Sequence, residues 1–183
     1  MRAFVWLLLS VTLLACAPGR GLPDLPAAAS GAYRLGAGDA VRVITVGDDE
    51  LTGEFRVSDS GTIALPRLGA MRAAGQTPDA LAGAIRDALV KADLYTAPSV
   101  SVEITTYRPI FVLGEVSKPG QYPYQPGMTV VTAAAVAGGF TYRAIDAYAS
   151  VVRSADGVAI EAKAARQAFV QPGDVITIFE RRF

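Results

Sequence analysis

Val100–Leu113 reads VSVEITTYRPIFVL, and two different strand patterns meet inside it. Val100, Val102 and Ile104 alternate with Ser101, Glu103 and Thr105, the period of a strand with one dry face and one wetter face. Ile110, Phe111, Val112 and Leu113 then begin a new, continuously apolar strand. Proline at 109 separates the two, because it has no amide hydrogen to give a sheet. The break at Tyr107-Arg108-Pro109 is read as a domain boundary. It divides the chain into two small mixed α/β domains, α+β in overall class.

Upstream of the boundary lie the parts of a sheet and one helix. Val41, Val43 and Ile44 belong to the β-rich run AVRVITV (40–46), Asp59-Ser60-Gly61 signals a turn, and Ile63 and Leu65 alternate beyond it. A hairpin is expected across that turn. Thr77-Pro78-Asp79 opens a helix with a capping hydroxyl, a proline where no donor is needed, and a carboxylate near the positive end of the dipole. Leu81, Ile85 and Leu89 follow at spacing four, which lays one stripe of the helix on the sheet. Downstream, Pro119-Gly120 has the residues of the two central positions of a type II turn. A second helix is expected to start at Thr129, run from Val130 to Ala137, and stop at Gly138-Gly139. Further strands are expected around Val151-Val152 and from Val175 to Phe179. Gly38-Asp39 and Gly173-Asp174 each feed a β-branched strand, an echo that ordinary turn chemistry explains, with both aspartates accepting from backbone amides.

The N-terminus has a different character. Met1-Arg2 is a short positive start, and Ala3 to Ala15 is apolar apart from Ser10 and Thr12, long enough for an export signal and short of the roughly 20 residues of a spanning helix. Cys16, the single cysteine of the chain, stands directly behind it in LLACAPG (13–19). With no second thiol and no histidine it has neither a disulfide partner nor an imidazole to activate it. Leu13-Leu14-Ala15-Cys16 resembles the bacterial lipobox, which implies a signal peptide over 1–15 and a diacylglyceryl group on Cys16 as the mature N-terminus. From Ala17 to Ala32 the chain is rich in Pro, Gly and Ala, and 16–32 is read as a lipidated flexible linker. Ordered structure is expected from Tyr33, with the two domains at 33–107 and 108–183.

Composition limits the function. The full chain of 183 residues has 17 basic and 17 acidic side chains, and loss of Arg2 with the signal leaves one net negative charge. No basic patch points to nucleic acid. Neither a phosphate-binding loop nor a nucleophile elbow is present, and Gly36-Ala37-Gly38 fails as a dinucleotide fingerprint because Val41 stands where the third glycine belongs. Asp48-Asp49-Glu50 is the densest carboxylate cluster and reads as a solvated turn, not an acid/base pair. Tyr122, Tyr124 and Tyr142 have rings that can stack on sugars, although such spacing is more typical of strand or interface packing. No catalytic residue, metal ligand or cofactor is assigned.

The order of these motifs is that of a known family. YRLGAGDAVRV (33–43), VSDSGTIALPRLG (57–69), the Thr77-Pro78 helix and PSVSVEI (98–104) resemble the polysaccharide-export domain of the Wza-like outer-membrane lipoproteins. VLGEVSKPGQYPY (112–124), TVVTAAAVAGGFT (129–141) and VQPGDVITIFERRF (170–183) resemble the β-grasp-like SLBB domain that follows it. The resemblance implies a non-enzymatic protein, lipid-anchored at the periplasmic face of the outer membrane. It implies a homo-oligomeric ring through which capsular or exopolysaccharide passes, above an inner-membrane polysaccharide co-polymerase. The larger relatives carry a C-terminal amphipathic helix as their pore; this chain ends at FERRF, so a separate outer-membrane β-barrel is expected to complete the path. The alternative is a lipid-anchored carbohydrate-binding or assembly module that forms no conduit.

Overall fold

The computed structural model describes residues 18–26, 32–155 and 158–181; the expected signal peptide and Cys16 lie outside the described residues. Among the described residues, ten strands and two helices build an α+β molecule with two separate hydrophobic cores.

Domain one runs β1 (Ala40–Thr45), β2 (Gly53–Arg56), β3 (Thr62–Leu65), β4 (Gly69–Arg72), α1 (Pro78–Lys91) and β5 (Val100–Thr106). β1 is the centre of an antiparallel sheet in the order β2-β1-β5. α1 starts where its sequence dictates: the Thr77 hydroxyl accepts from Ala80 N at 3.2 Å, Pro78 occupies the first turn, and Lys91 sits in the last. Its Leu81, Ile85 and Leu89 are buried with Val41, Val43, Val100 and Val102 of the sheet. The hairpin expected across Asp59-Ser60-Gly61 is not formed. That turn joins β2 to β3, and β3 pairs with β4 instead, Ile63 facing Met71. The reversal is made at Pro66-Arg67-Leu68-Gly69, where Arg67 and Gly69 both adopt positive φ.

Domain two runs β6 (Ile110–Gly114), β7 (Gly120–Tyr122), α2 (Val130–Val136), β8 (Ala144–Ala155), β9 (Val158–Ala165) and β10 (Val175–Glu180). The sheet order is β7-β6-β10-β8-β9, with β10 parallel to β6 and antiparallel to β8. α2 opens with a reciprocal cap between Thr129 and Thr132, and Gly138 and Gly139 end it in the left-handed region. Val130, Ala133 and Ala134 pack on Ile110, Val112, Val151, Ile176 and Ile178. Two expectations differ here. Gly120 does not take the left-handed conformation of a type II turn; it opens β7 opposite Val112, and Gly114 carries the positive φ. The apolar run of β6 is buried on one side only, leaving Phe111 and Leu113 exposed on the other.

The expected linker over 16–32 is not a free leash throughout. Residues 18–26 lie along the outer edge of β9 as a strap: Leu25 N donates to Lys163 O and Lys163 N to Pro23 O, both at 2.7 Å. Leu25 packs into the core of domain two, while Asp24 pairs with Lys163 on the opposite face. The physical reason is the edge itself, whose unpaired amides and carbonyls accept any extended segment within reach. Composition alone, rich in Pro, Gly and Ala, does not report such a partner.

Candidate functional site

The junction of the two domains is built from two Gly-Asp turns and one arginine. Gly36-Ala37-Gly38-Asp39 closes with Asp39 N donating to Gly36 O, and Gln171-Pro172-Gly173-Asp174 closes the same way. Gly38 and Gly173 have φ of 94° and 87°, the third-position conformation of a type II turn. In each turn the buried aspartate accepts from the amide three residues back, Gly36 N at 2.8 Å and Gln171 N at 2.7 Å. Both aspartates therefore bind turn amides, as their sequence context predicts, and the echo between the chain ends extends to the hydrogen bonds.

Arg108 joins the two turns. Its amide donates to Asp39 Oδ1 at 2.8 Å and its Nε to Pro172 O at 2.8 Å. The guanidinium fills the space where Gly36 lacks a side chain; a Cβ there would meet Arg108 Nη1 at 1.4 Å, and one at Gly173 would meet Nε at 2.9 Å. The second Asp39 oxygen accepts from the Tyr33 hydroxyl at 2.7 Å. Burial, helped by that carboxylate, pushes the Tyr33 phenol well above the usual tyrosine range. Tyr33, Tyr107 and Tyr124 follow one another edge to face, with centroids 5.1 and 5.4 Å apart, and carry the contact across the boundary. On the domain-two side Arg153 clamps Asp174 through both oxygens, at 2.9 and 2.7 Å.

Beside this clamp lies an open cleft of about 320 Å³, lined by Arg56 and Thr106 of domain one, Tyr107 at the boundary, and Gln121 and Tyr122 of domain two. Arg56 is its one charged lining residue; part of its guanidinium is spent on Gly38 O. An aromatic face, an amide and a guanidinium in one concavity make a donor set suited to a hydroxylated or carboxylated ring. Of the three tyrosines singled out in sequence, Tyr122 lines the cleft and donates to Lys118 O. Tyr124 packs on Tyr107, and Tyr142 stands 88% exposed, outside the cleft. Arg108 and Arg56 were not visible as site residues from sequence. The one available signal was the position of Arg108 between Tyr107 and the boundary proline.

The carboxylate cluster is not a solvated turn at its first member. Asp48 is buried and accepts from Glu50 N, Leu51 N and the Tyr95 hydroxyl, the last at 2.6 Å, while Arg67 lies 3.3 Å away and also binds Glu50. The Tyr95 hydrogen bond, then the loop amides and Arg67, hold the Asp48 carboxyl below its ordinary range. Both of its oxygens are engaged, so it pins three loops together and has no free oxygen for proton transfer.

Residues 27–105 match the family model described as polysaccharide biosynthesis/export protein, and residues 109–159 match that of the SLBB domain. The chain thus carries a region matching the polysaccharide biosynthesis/export model followed by one matching the SLBB domain. The gap between the two matches is Thr106-Tyr107-Arg108, where the clamp sits. Exopolysaccharide production protein ExoF of Rhizobium meliloti (strain 1021) is 38% identical over 118 residues, covering 58% of this chain and 28% of that relative. The chain thus spans under a third of the length of the curated relative it matches.

Proposed function

We propose that this chain is a non-catalytic, lipid-anchored component at the periplasmic face of the outer membrane, assembling into a homo-oligomeric ring for passage of capsular or exopolysaccharide. The observation that carries the reading is the pair of family matches in order, export domain then SLBB domain, with the junction between them held by Arg108. Cys16 carries the acyl anchor, an inner-membrane co-polymerase docks beneath the ring, and a separate β-barrel takes the polymer across the bilayer. No helix among the described residues is long and apolar enough to cross a membrane.

Deletion of the gene, with surface polysaccharide assayed before and after complementation, tests the export role; undiminished surface polymer removes it. Chemical crosslinking in cells, followed by sizing of the detergent-extracted protein, tests the ring. The junction cleft favours one alternative, a lipid-anchored carbohydrate-binding module. A strictly monomeric protein that binds acidic oligosaccharides, with Arg56→Ala abolishing that binding, would favour the module over the conduit.

A further inference from the structure

The sheet of domain two has one face under α2 and another that faces outward. On the outward face the register sets Phe111 beside Val175 and Val175 beside Val152, with Leu113 beside Thr177 in the next row. Phe111 is 38% exposed and Leu113 42%, so apolar side chains stand open on β6, one strand in from the short β7 edge. Patches of this kind mark contact surfaces. Next to it the rings of Tyr148 and Phe179 lie 5.9 Å apart, and the strap is seated on them: the Tyr148 hydroxyl donates to Pro18 O at 3.0 Å, and Gly19 lies against the Phe179 ring.

We infer that this outward face, centred on Phe111 and Leu113, rests on the surface of the bilayer that holds the acyl chains of Cys16. The inference depends on the acylation proposed above. What selects lipid as the occupant is the length of chain between anchor and patch. Pro18 is two residues from Cys16, and two extended residues reach at most about 7 Å. A free leash over 16–32 would leave the orientation open; the strap fixes the anchor point beside the patch. Apolar side chains with an aromatic pair alongside match the boundary between headgroups and acyl chains. The rim of the patch is polar, with Gln121 beside Phe111, Glu161 beside Val152, and Lys163, paired with Asp24, beside Ser150.

The single tryptophan of the sequence, Trp6, lies in the expected signal peptide, so the mature chain offers a dark background for a fluorescent probe. The test uses the mature protein, purified from the membranes of cells expressing the whole sequence, in phosphatidylethanolamine/phosphatidylglycerol vesicles containing brominated phosphatidylcholine. Phe111→Trp is compared with Val46→Trp, a 70% exposed position on domain one; Leu113→Trp serves if Phe111→Trp fails to fold. The expected result is several-fold stronger quenching by bromolipid at 111 or 113 than at 46, together with reduced quenching by aqueous acrylamide. Equal bromolipid quenching at the two sites in protein that floats with the vesicles overturns the docking and leaves the anchor intact. Acrylamide protection without bromolipid quenching identifies a second copy of the chain as the occupant, which also overturns it. Protein that does not float overturns the acylation of Cys16 and the docking with it, whereas loss of export in the deletion strain is independent of all three outcomes.

Discussion

Arg108 and Gly36 form a pair in which one residue is small because the other is large. Gly36 does not lie in the left-handed region, so an alanine there costs only the overlap with the guanidinium. Gly36→Ala is expected to destabilise the protein by about 1–3 kcal/mol, the usual cost of overpacking a filled site. In an Arg108→Ala background the same change should be almost neutral, because the space is then empty. A double-mutant cycle by denaturant unfolding measures this coupling; additive effects would mean that the clamp does not bind the two domains. Asp48 gives a second expectation at this scale. Its folded carboxyl is held below the ordinary aspartate value of 3.8, so its contribution to stability is present above that value and is lost as pH falls through the lower folded one. Tyr95→Phe removes the principal cause, and acid unfolding followed by circular dichroism should begin at a higher pH than in the unaltered chain. Asp39 and Asp174 were legible in the sequence because turn chemistry is local. Arg108 was not, because its acceptors lie 69 and 64 residues away along the chain.

Both helix starts, and the end of α2 to within a residue, were legible in sequence, since caps are written into adjacent residues. Thr77→Ala should lower stability by about 1 kcal/mol, the typical value of a capping hydroxyl, measurable as a shift in the urea midpoint with an unchanged slope. Six of the strands were legible in sequence, but β2, β4, β7 and β9 were not, nor were the strands' partners. β2 and β7 have only four and three residues, too short to show a period, and the parallel pairing of β6 with β10 joins segments from opposite ends of domain two. The strap was misread for the same reason: what orders residues 18–26 is the edge of β9, far along the chain. Leu25→Asp should release it, because it places a charge where Leu25 enters the core. Hydrogen exchange is the measurement, with faster exchange expected at the Lys163 amide, which now donates to Pro23 O.

At the scale of the whole molecule the clamp sets the angle between the domains, and the cleft has its shape only while that angle holds. Arg108→Ala is expected to leave both cores folded, since neither includes Arg108, while small-angle scattering reports a broader distribution of inter-domain distances. If the chain works as a ring subunit, that variant should complement export poorly although it is folded and membrane-bound. Normal complementation would show that the assembly tolerates a loose joint. The strap adds a matter of timing. Pro18 precedes its partner Tyr148 by 130 residues, so the strap can dock only after domain two, which follows it along the chain, has folded. Such distant closure is among the slower events of folding. If Cys16 carries the proposed acyl chains, the anchor is tied to the rest of the molecule only by an undocked segment until then. Once domain two is complete that segment is seated, so that, with the proposed anchor, completion of the fold would itself be the signal that fixes the protein against its membrane.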